Sequence, residues 1–154
     1  MSSRLWIEVR ERRGLAYAVR TSIDRYTDTG YLGTYAGVDP VKVDEAIKVI
    51  LDELRKITNH QSPITSHELK DFKEFLKGHF ALALEETKDV SSFFADQVLF
   101  MDEILTPEEI FKKVDSVTLE EVNYEAKRLF IPSRLNLAII GDYNTEAKFE
   151  KLLK

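Results

Sequence analysis

Residues 9–19, Val-Arg-Glu-Arg-Arg-Gly-Leu-Ala-Tyr-Ala-Val, pass from a charged run into an alternating apolar segment at a single glycine. The apolar residues that begin the chain share one stripe of a helix predicted over residues 3–13, namely Leu5, Trp6 and Val9. Gly14 stands where a left-handed C-cap ends such a helix. From Leu15 the period changes to two, which predicts a half-buried strand with Leu15 and Tyr17 on its apolar side. The stretch therefore predicts a helix, a sharp break and a strand in direct succession.

The residues after this strand predict a hairpin and then a long helix. A turn-like segment at residues 26–30 leads into a second strand over residues 31–38, whose glycines mark a bulge or a close backbone approach. Asp39 and Pro40 form a helix start, with an N-cap followed by proline at the first helical position. Apolar residues continue at helical spacing to Ile57, so this helix should lie on the hairpin.

Three further helices are predicted from one capping signal, a threonine that caps and a glutamate three residues later that reaches back. The pairs are Thr65 with Glu68, Thr106 with Glu109, and Thr118 with Glu121. The first pair begins a long helix to about residue 87, with an inner face of Leu69, Phe72, Leu76, Phe80 and Leu84. A helix through residue 104 follows it. Near the end, residues 135–142 (Leu-Asn-Leu-Ala-Ile-Ile-Gly-Asp) predict a strand buried on both faces, and residues 145–153 predict a final helix.

The predicted elements define an α+β fold, with a mostly antiparallel sheet covered by several helices. The 154 residues are 44% hydrophobic and 32% charged, which is typical of a well-packed domain, so residues 1–154 are predicted to form a single domain. Three strands are few for so many helices. We therefore expect that the first strand and part of the first helix of the domain lie before Met1.

Composition excludes several classes of function. The formal net charge of −5 gives no global attraction to nucleic acid or to an anionic membrane. With no cysteine, the chain has no disulfide, thiol nucleophile or thiolate metal site. We find neither a membrane-spanning apolar run nor the apolar core of a signal peptide, so a cytoplasmic location is expected.

The usual catalytic motifs are also missing from the sequence. The three histidines form no paired zinc motif, and His67 with Asp71 is a two-ligand pair that a solvated surface explains better. The glycines at 33 and 37 fit neither phosphate-binding loop, and no serine stands in a nucleophile elbow. No metal site is therefore predicted in this chain.

The stretch from Arg10 to Tyr17 is the remaining candidate. On periodicity alone, Arg10, Arg12 and Arg13 solvate a helix end and Tyr17 belongs to the core with its hydroxyl at an edge. A contact of the Arg-Glu-Arg-Arg run with nucleic acid or an acidic protein is an alternative that the net charge disfavours.

Residues 1–47 resemble the opening of the C-terminal half of the pitrilysin-type zinc peptidases, the group that includes insulinases and mitochondrial processing peptidases. The matching motifs are Ser-Ser-Arg-Leu at 2–5, Arg-x-x-Arg-Gly-Leu-Ala-Tyr at 10–17, Asp-Thr-Gly at 28–30, and the glycine-bearing second strand. The resemblance extends through Glu68-Leu69, Lys77-Gly78 and residues 135–142. It covers essentially the whole chain.

The resemblance implies one half of a clamshell of α+β domains around a closed chamber. In such peptidases the N-terminal half holds the zinc, and an Arg and a Tyr of the other half hydrogen-bond the substrate backbone near the scissile carbonyl. Arg10 and Tyr17 match that pair in type and spacing. Because the chain lacks the inverted His-x-x-Glu-His motif, we expect it to bind no catalytic zinc and to be inactive alone.

The resemblance also sets the expected partners and cofactor. They are a peptide substrate and a zinc-binding N-terminal half, in the same chain or in a partner subunit, with zinc in that half. An open sheet edge favours self-association, so a homodimer is also among the expected partners. The alternative function is a non-catalytic structural or partner subunit of the same family.

Overall fold

The computed structural model describes residues 3–58 and 64–153, and it confirms the α+β class. The elements are a π-helix at Trp6–Glu11, β1 at Ala16–Arg25, β2 at Gly30–Val38, α1 at Val43–Thr58, α2 at Ser66–Ala83, α3 at Thr87–Phe100, α4 at Pro107–Ser116, α5 at Leu119–Leu129 and α6 at Ala147–Leu153. Short 3-10 turns lie at Pro40–Lys42 and Pro132–Arg134. The chain divides into two compact units, residues 1–63 with 125–154 and residues 64–124.

The first helix is a π-helix rather than an α-helix, and it ends at Glu11, before the predicted end at residue 13. The Arg12 N–H donates to the Ile7 carbonyl over 2.9 Å, a bond that spans five residues. Gly14 then takes the left-handed conformation, with φ +56°. This reversal lets the Leu15 N–H donate to the Val9 carbonyl over 2.9 Å, which satisfies a helix-end carbonyl that would otherwise lack a partner.

The hairpin of β1 and β2 is antiparallel, as predicted, with Val19 opposite Ala36 and Arg20 opposite Tyr35. Its inner face packs with the π-helix and α1 in a hydrophobic cluster whose buried members are Val9, Leu15, Ala16, Val19 and Ala46. The Asp39 side chain caps the next turn by accepting the Val41 N–H over 3.0 Å. The predicted position of α1 on the hairpin is therefore confirmed.

A second cluster joins α1 to α6 through Val43, Ile47, Leu51 and Phe149. Residues 135–142 pass beside it without forming the predicted strand. Leu135 and Ile139 pack against the cluster, whereas Leu137 is 38% exposed and Ile140 is fully exposed. A strand needs a neighbour for its backbone hydrogen bonds, and the described sheet contains only β1 and β2. The prediction of a third strand is wrong for this reason.

The second unit contains the predicted capping boxes, each with both of its hydrogen bonds. Phe80 of α2 meets Phe93 and Phe111 edge-on, with ring centroids 5.2 and 5.8 Å away. The predicted inner face of α2 is only partly correct, because Phe72 and Leu76 are 42% and 55% exposed. Besides the contact of Phe80 with Phe111, Lys73 and Lys77 of α2 donate to the carbonyls of Asp115 and Val117 and to the Asp115 carboxylate, at the end of α4.

Replacing Gly14 with alanine should lower the free energy of unfolding by about 1–2 kcal/mol, because a Cβ disfavours the left-handed backbone. No atom lies within 4 Å of the added Cβ, so the cost is backbone strain and not a clash. Gly78, inside α2 and equally free of neighbours, is the matched control, and alanine there should stabilise by about 0.5–1 kcal/mol. Urea unfolding followed by Trp6 fluorescence and by circular dichroism measures both changes. Equal stability of Gly14→Ala and the unmodified chain would contradict this assignment.

Candidate functional site

Arg10 and Tyr17 lie on either side of the Gly14 reversal and both are exposed. Arg10 belongs to the last turn of the π-helix, and Tyr17 is the second residue of β1, 80% exposed. Between them the chain buries Leu15 and Ala16, so the backbone is anchored while the two side chains remain outside. The reversal thus presents a cation from a helix and a phenol from a strand in one short stretch.

A β-bulge places Tyr17 on the outer face of the hairpin. Ala16 pairs with Val38 and Ala18 pairs with Gly37, so that Tyr17 has no partner in the ladder. Strict alternation predicts Tyr17 on the same side as Leu15 and Val19, and this core interpretation is wrong. The extra residue shifts the alternation by one, so the strand buries Ala16 and exposes the tyrosine.

The Tyr17 ring lies against Gly37 of the neighbouring strand. A Cβ on Gly37 would come within 3.2 Å of ring atom Cδ1, closer than an unstrained contact allows. The glycine therefore provides the close backbone approach that its position in a strand predicts. The sequence pattern does not connect Gly37 with Tyr17, because only the bulge turns the ring to that side.

The polar ends of both candidate side chains are available as donors. The Arg10 guanidinium lies over the Trp6 ring, with Cζ 4.2 Å from the ring centroid. Within residues 3–58 and 64–153, neither this guanidinium nor the Tyr17 hydroxyl makes a hydrogen bond or ion pair. Such groups can bind carbonyl oxygens supplied by another molecule.

The neighbouring arginines are engaged by one carboxylate. Arg12 and Arg13 both pair with Glu8, and Arg13 Nη1 also donates to the Glu8 carbonyl over 2.8 Å. The hydrogen bond from Arg13, followed by the charges of both arginines, holds the pKa of Glu8 below its ordinary value of 4.5 despite its desolvation. These two basic residues therefore belong to the end of the helix, in agreement with the interpretation based on periodicity alone.

The histidines provide no metal centre in the described part of the chain. His67 Nδ1 lies 2.9 Å from Asp71 Oδ2, and both side chains are largely exposed. No group of three or more His, Asp or Glu residues is placed to hold a metal ion in residues 3–58 and 64–153. His60 lies outside the described residues.

In residues 3–58 and 64–153, no helix has the length and apolarity needed to cross a bilayer.

Comparison with known proteins supports the resemblance. Residues 1–76 match the family model described as the peptidase M16 inactive domain. The chain is 31% identical over 154 residues to an uncharacterized zinc protease of Mycobacterium tuberculosis, covering 100% of this chain and 34% of that protein. It is 37% identical over 130 residues to one of Bacillus subtilis, covering 84% and 31%. The chain thus spans about a third of the length of these curated relatives.

Two solved structures have the same fold. A chain of Complex III2 from Candida albicans, Inz-5 bound, matches with a TM-score of 0.73 and 25% identity, over 83% of this chain and 30% of the other. A conserved protein from Enterococcus faecalis matches with a TM-score of 0.71 and 29% identity, over 82% and 29%.

Fold and sequence together define a domain from the non-catalytic half of a zinc peptidase family. That family is M16, and the predicted resemblance of this chain to its C-terminal half is confirmed.

The depressed pKa of Glu8 predicts an acid-dependent loss of stability. A carboxyl whose pKa is lowered by folding stabilises the protein above its unfolded pKa, and this contribution disappears as the pH falls through the folded value. Glu8→Gln should therefore destabilise the chain near neutrality and lose less stability than the unmodified chain between about pH 7 and pH 3. Urea titrations across this range measure the difference.

Glu150→Gln is the control, because its exposed side chain makes no ion pair with the described residues. It should keep the acid dependence of the unmodified chain. An unchanged pH profile for Glu8→Gln would contradict the assigned role of the pairs with Arg12 and Arg13.

Proposed function

We propose that this chain is the substrate-clamping, non-zinc-binding half of a zinc-dependent endopeptidase. Arg10 and Tyr17 would hydrogen-bond the backbone of a bound peptide and the carbonyl of the bond to be cut. The observation that carries this proposal is that both side chains are exposed and unpaired within the described residues. Residues 1–154, built of two compact units, then act as one C-terminal-type domain.

The two side chains suit the charge that develops during peptide hydrolysis. When an activated water attacks the peptide carbonyl, its oxygen gains negative charge that fixed donors can stabilise. A guanidinium and a phenol each offer hydrogen-bond donors that can reach such an oxygen. A strand bulge and a helix end hold them, and elements of this kind position side chains more firmly than a long loop.

The proposal requires a zinc-binding half from the same chain or from a partner subunit. That half would supply the zinc and the activated water, because the described residues offer no set of ligands. The curated relatives, which are named zinc proteases, are about three times as long as this chain and have room for such a half. A peptide held between the two halves is the proposed substrate, and the cytoplasm is the proposed location.

Substitutions at the two donors test this role in the assembled peptidase, meaning this chain together with its zinc-binding half. Arg10→Gln and Tyr17→Phe should each lower kcat for a fluorogenic peptide by about a hundredfold, the usual effect of removing one oxyanion donor. Zinc content should stay unchanged, since neither residue touches the metal.

Arg25→Gln and Tyr35→Phe are the matched controls, because they make the same chemical changes at exposed positions on the same hairpin. Both should retain the activity of the unmodified enzyme. Activity of the Arg10 and Tyr17 variants within twofold of the unmodified enzyme would refute the clamping role.

A second candidate is a non-catalytic structural subunit, which the similarity to a chain of Complex III2 favours. In that case the complete gene should lack an inverted His-x-x-Glu-His motif, and the native assembly should contain no stoichiometric zinc and cleave no peptide. Metal analysis and peptidase assays of the native assembly separate the two candidates. Stoichiometric zinc together with cleavage would exclude the structural subunit.

A further inference from the structure

We propose that Trp6 and Glu11 are positioning residues, which hold the Arg10 guanidinium in place for the substrate. This inference rests on the proposed function of Arg10 and adds the two side chains through which that arginine is oriented. The Arg10 guanidinium stacks on the Trp6 indole at 4.2 Å, and the indole Nε1–H donates to Glu11 Oε1 over 3.1 Å.

The π-helix makes this three-residue arrangement possible. In an α-helix the neighbours of a side chain lie three or four residues away, so positions five apart do not face each other. The bond from the Arg12 N–H to the Ile7 carbonyl widens the turn by one residue. Trp6 can then contact the side chain four residues later and the side chain five residues later.

Trp6 is itself fixed to the structure that carries Tyr17. Its indole is half-buried and packs against the hydrophobic cluster of the π-helix, β1 and α1, which contains Val9 and Leu15. A cation–π contact to a fixed ring restricts a long side chain that would otherwise sample many rotamers. One packed cluster therefore fixes both Trp6, on which Arg10 stacks, and Leu15 and Ala16, which precede Tyr17.

Glu11 stabilises the ring without neutralising the arginine. Its carboxylate accepts the indole N–H, and within the described residues it makes no ion pair with Arg10. The two arginines that follow pair with Glu8 on another part of the helix surface. The positive charge of Arg10 therefore stays available, which a clamp for a carbonyl oxygen requires.

The contact can be measured on the chain alone, whatever its activity. Trp6 is the only tryptophan, so its fluorescence reports directly on the stacked guanidinium. Arg10→Met should change the emission of Trp6, whereas Arg25→Met, at an exposed site on β1, should not. In proton NMR, the Arg10 Hδ resonances should lie upfield through the ring current and return to ordinary values in Trp6→Leu. Unchanged Trp6 emission in Arg10→Met and ordinary Arg10 shifts would overturn the inference.

The functional arm uses the assembled peptidase and a double-mutant cycle. Trp6→Leu should lower kcat by about three- to tenfold, and Trp6→Phe should restore most of the loss because it keeps a ring face. Glu11→Ala should have an intermediate effect. In an Arg10→Gln background, Trp6→Leu should have no further effect, since the residue acts through Arg10.

The outcomes separate this inference from the function on which it rests. Equal losses from Trp6→Leu with and without Arg10 would mean a general structural role and would overturn the positioning assignment. If Arg10→Gln itself left cleavage unchanged, the clamping function would be wrong, and the catalytic part of the positioning role would fall with it. The spectroscopic arm would then still decide whether the contact exists.

Discussion

The hydrogen bond from the Leu15 N–H to the Val9 carbonyl, closed across a left-handed Gly14, is the constraint on which the candidate site depends. It turns the chain from helix to strand within residues 12–15, and it buries both bonded residues in one cluster. Arg10, next to Val9, and Tyr17, two residues beyond Leu15 and turned outward by the bulge, both lie on the exterior. A continuous helix or strand would not present these two side chains from two different elements.

Two departures from regular geometry flank this reversal, each involving one extra residue. The π-helix widens the turn that carries Arg10, and the bulge inserts Tyr17 into β1. Each gives up regular hydrogen bonding and persists because the surrounding packing determines the backbone. Local irregularities that a well-packed core maintains are concentrated at functional sites in proteins. Their position here agrees with the motif that identified the family.

The sequence was most informative where a local interaction decides the structure. The Asp39 cap, the threonine–glutamate capping boxes and the Gly14 break all depend on residues a few positions apart. The bulge at Tyr17 depends on the register with a strand twenty residues away in the chain, and periodicity alone cannot supply it. Residues 135–142 have the composition of a strand but no described neighbour to complete the ladder, so their apolar pattern was misleading.

The charged residues at positions 8–13 do not form a free basic patch, because most of them have partners within the helix. A count of basic residues suggests a patch for an acidic partner, but Glu8 binds two of the three arginines. The other carboxylate, Glu11, accepts the indole N–H of Trp6. Because both acids already have donors, Arg10 remains as the cation that the helix itself does not neutralise. A single oriented charge, seven residues from an exposed phenol, would suit the proposed peptide carbonyl, whereas a diffuse basic surface would favour polyanions.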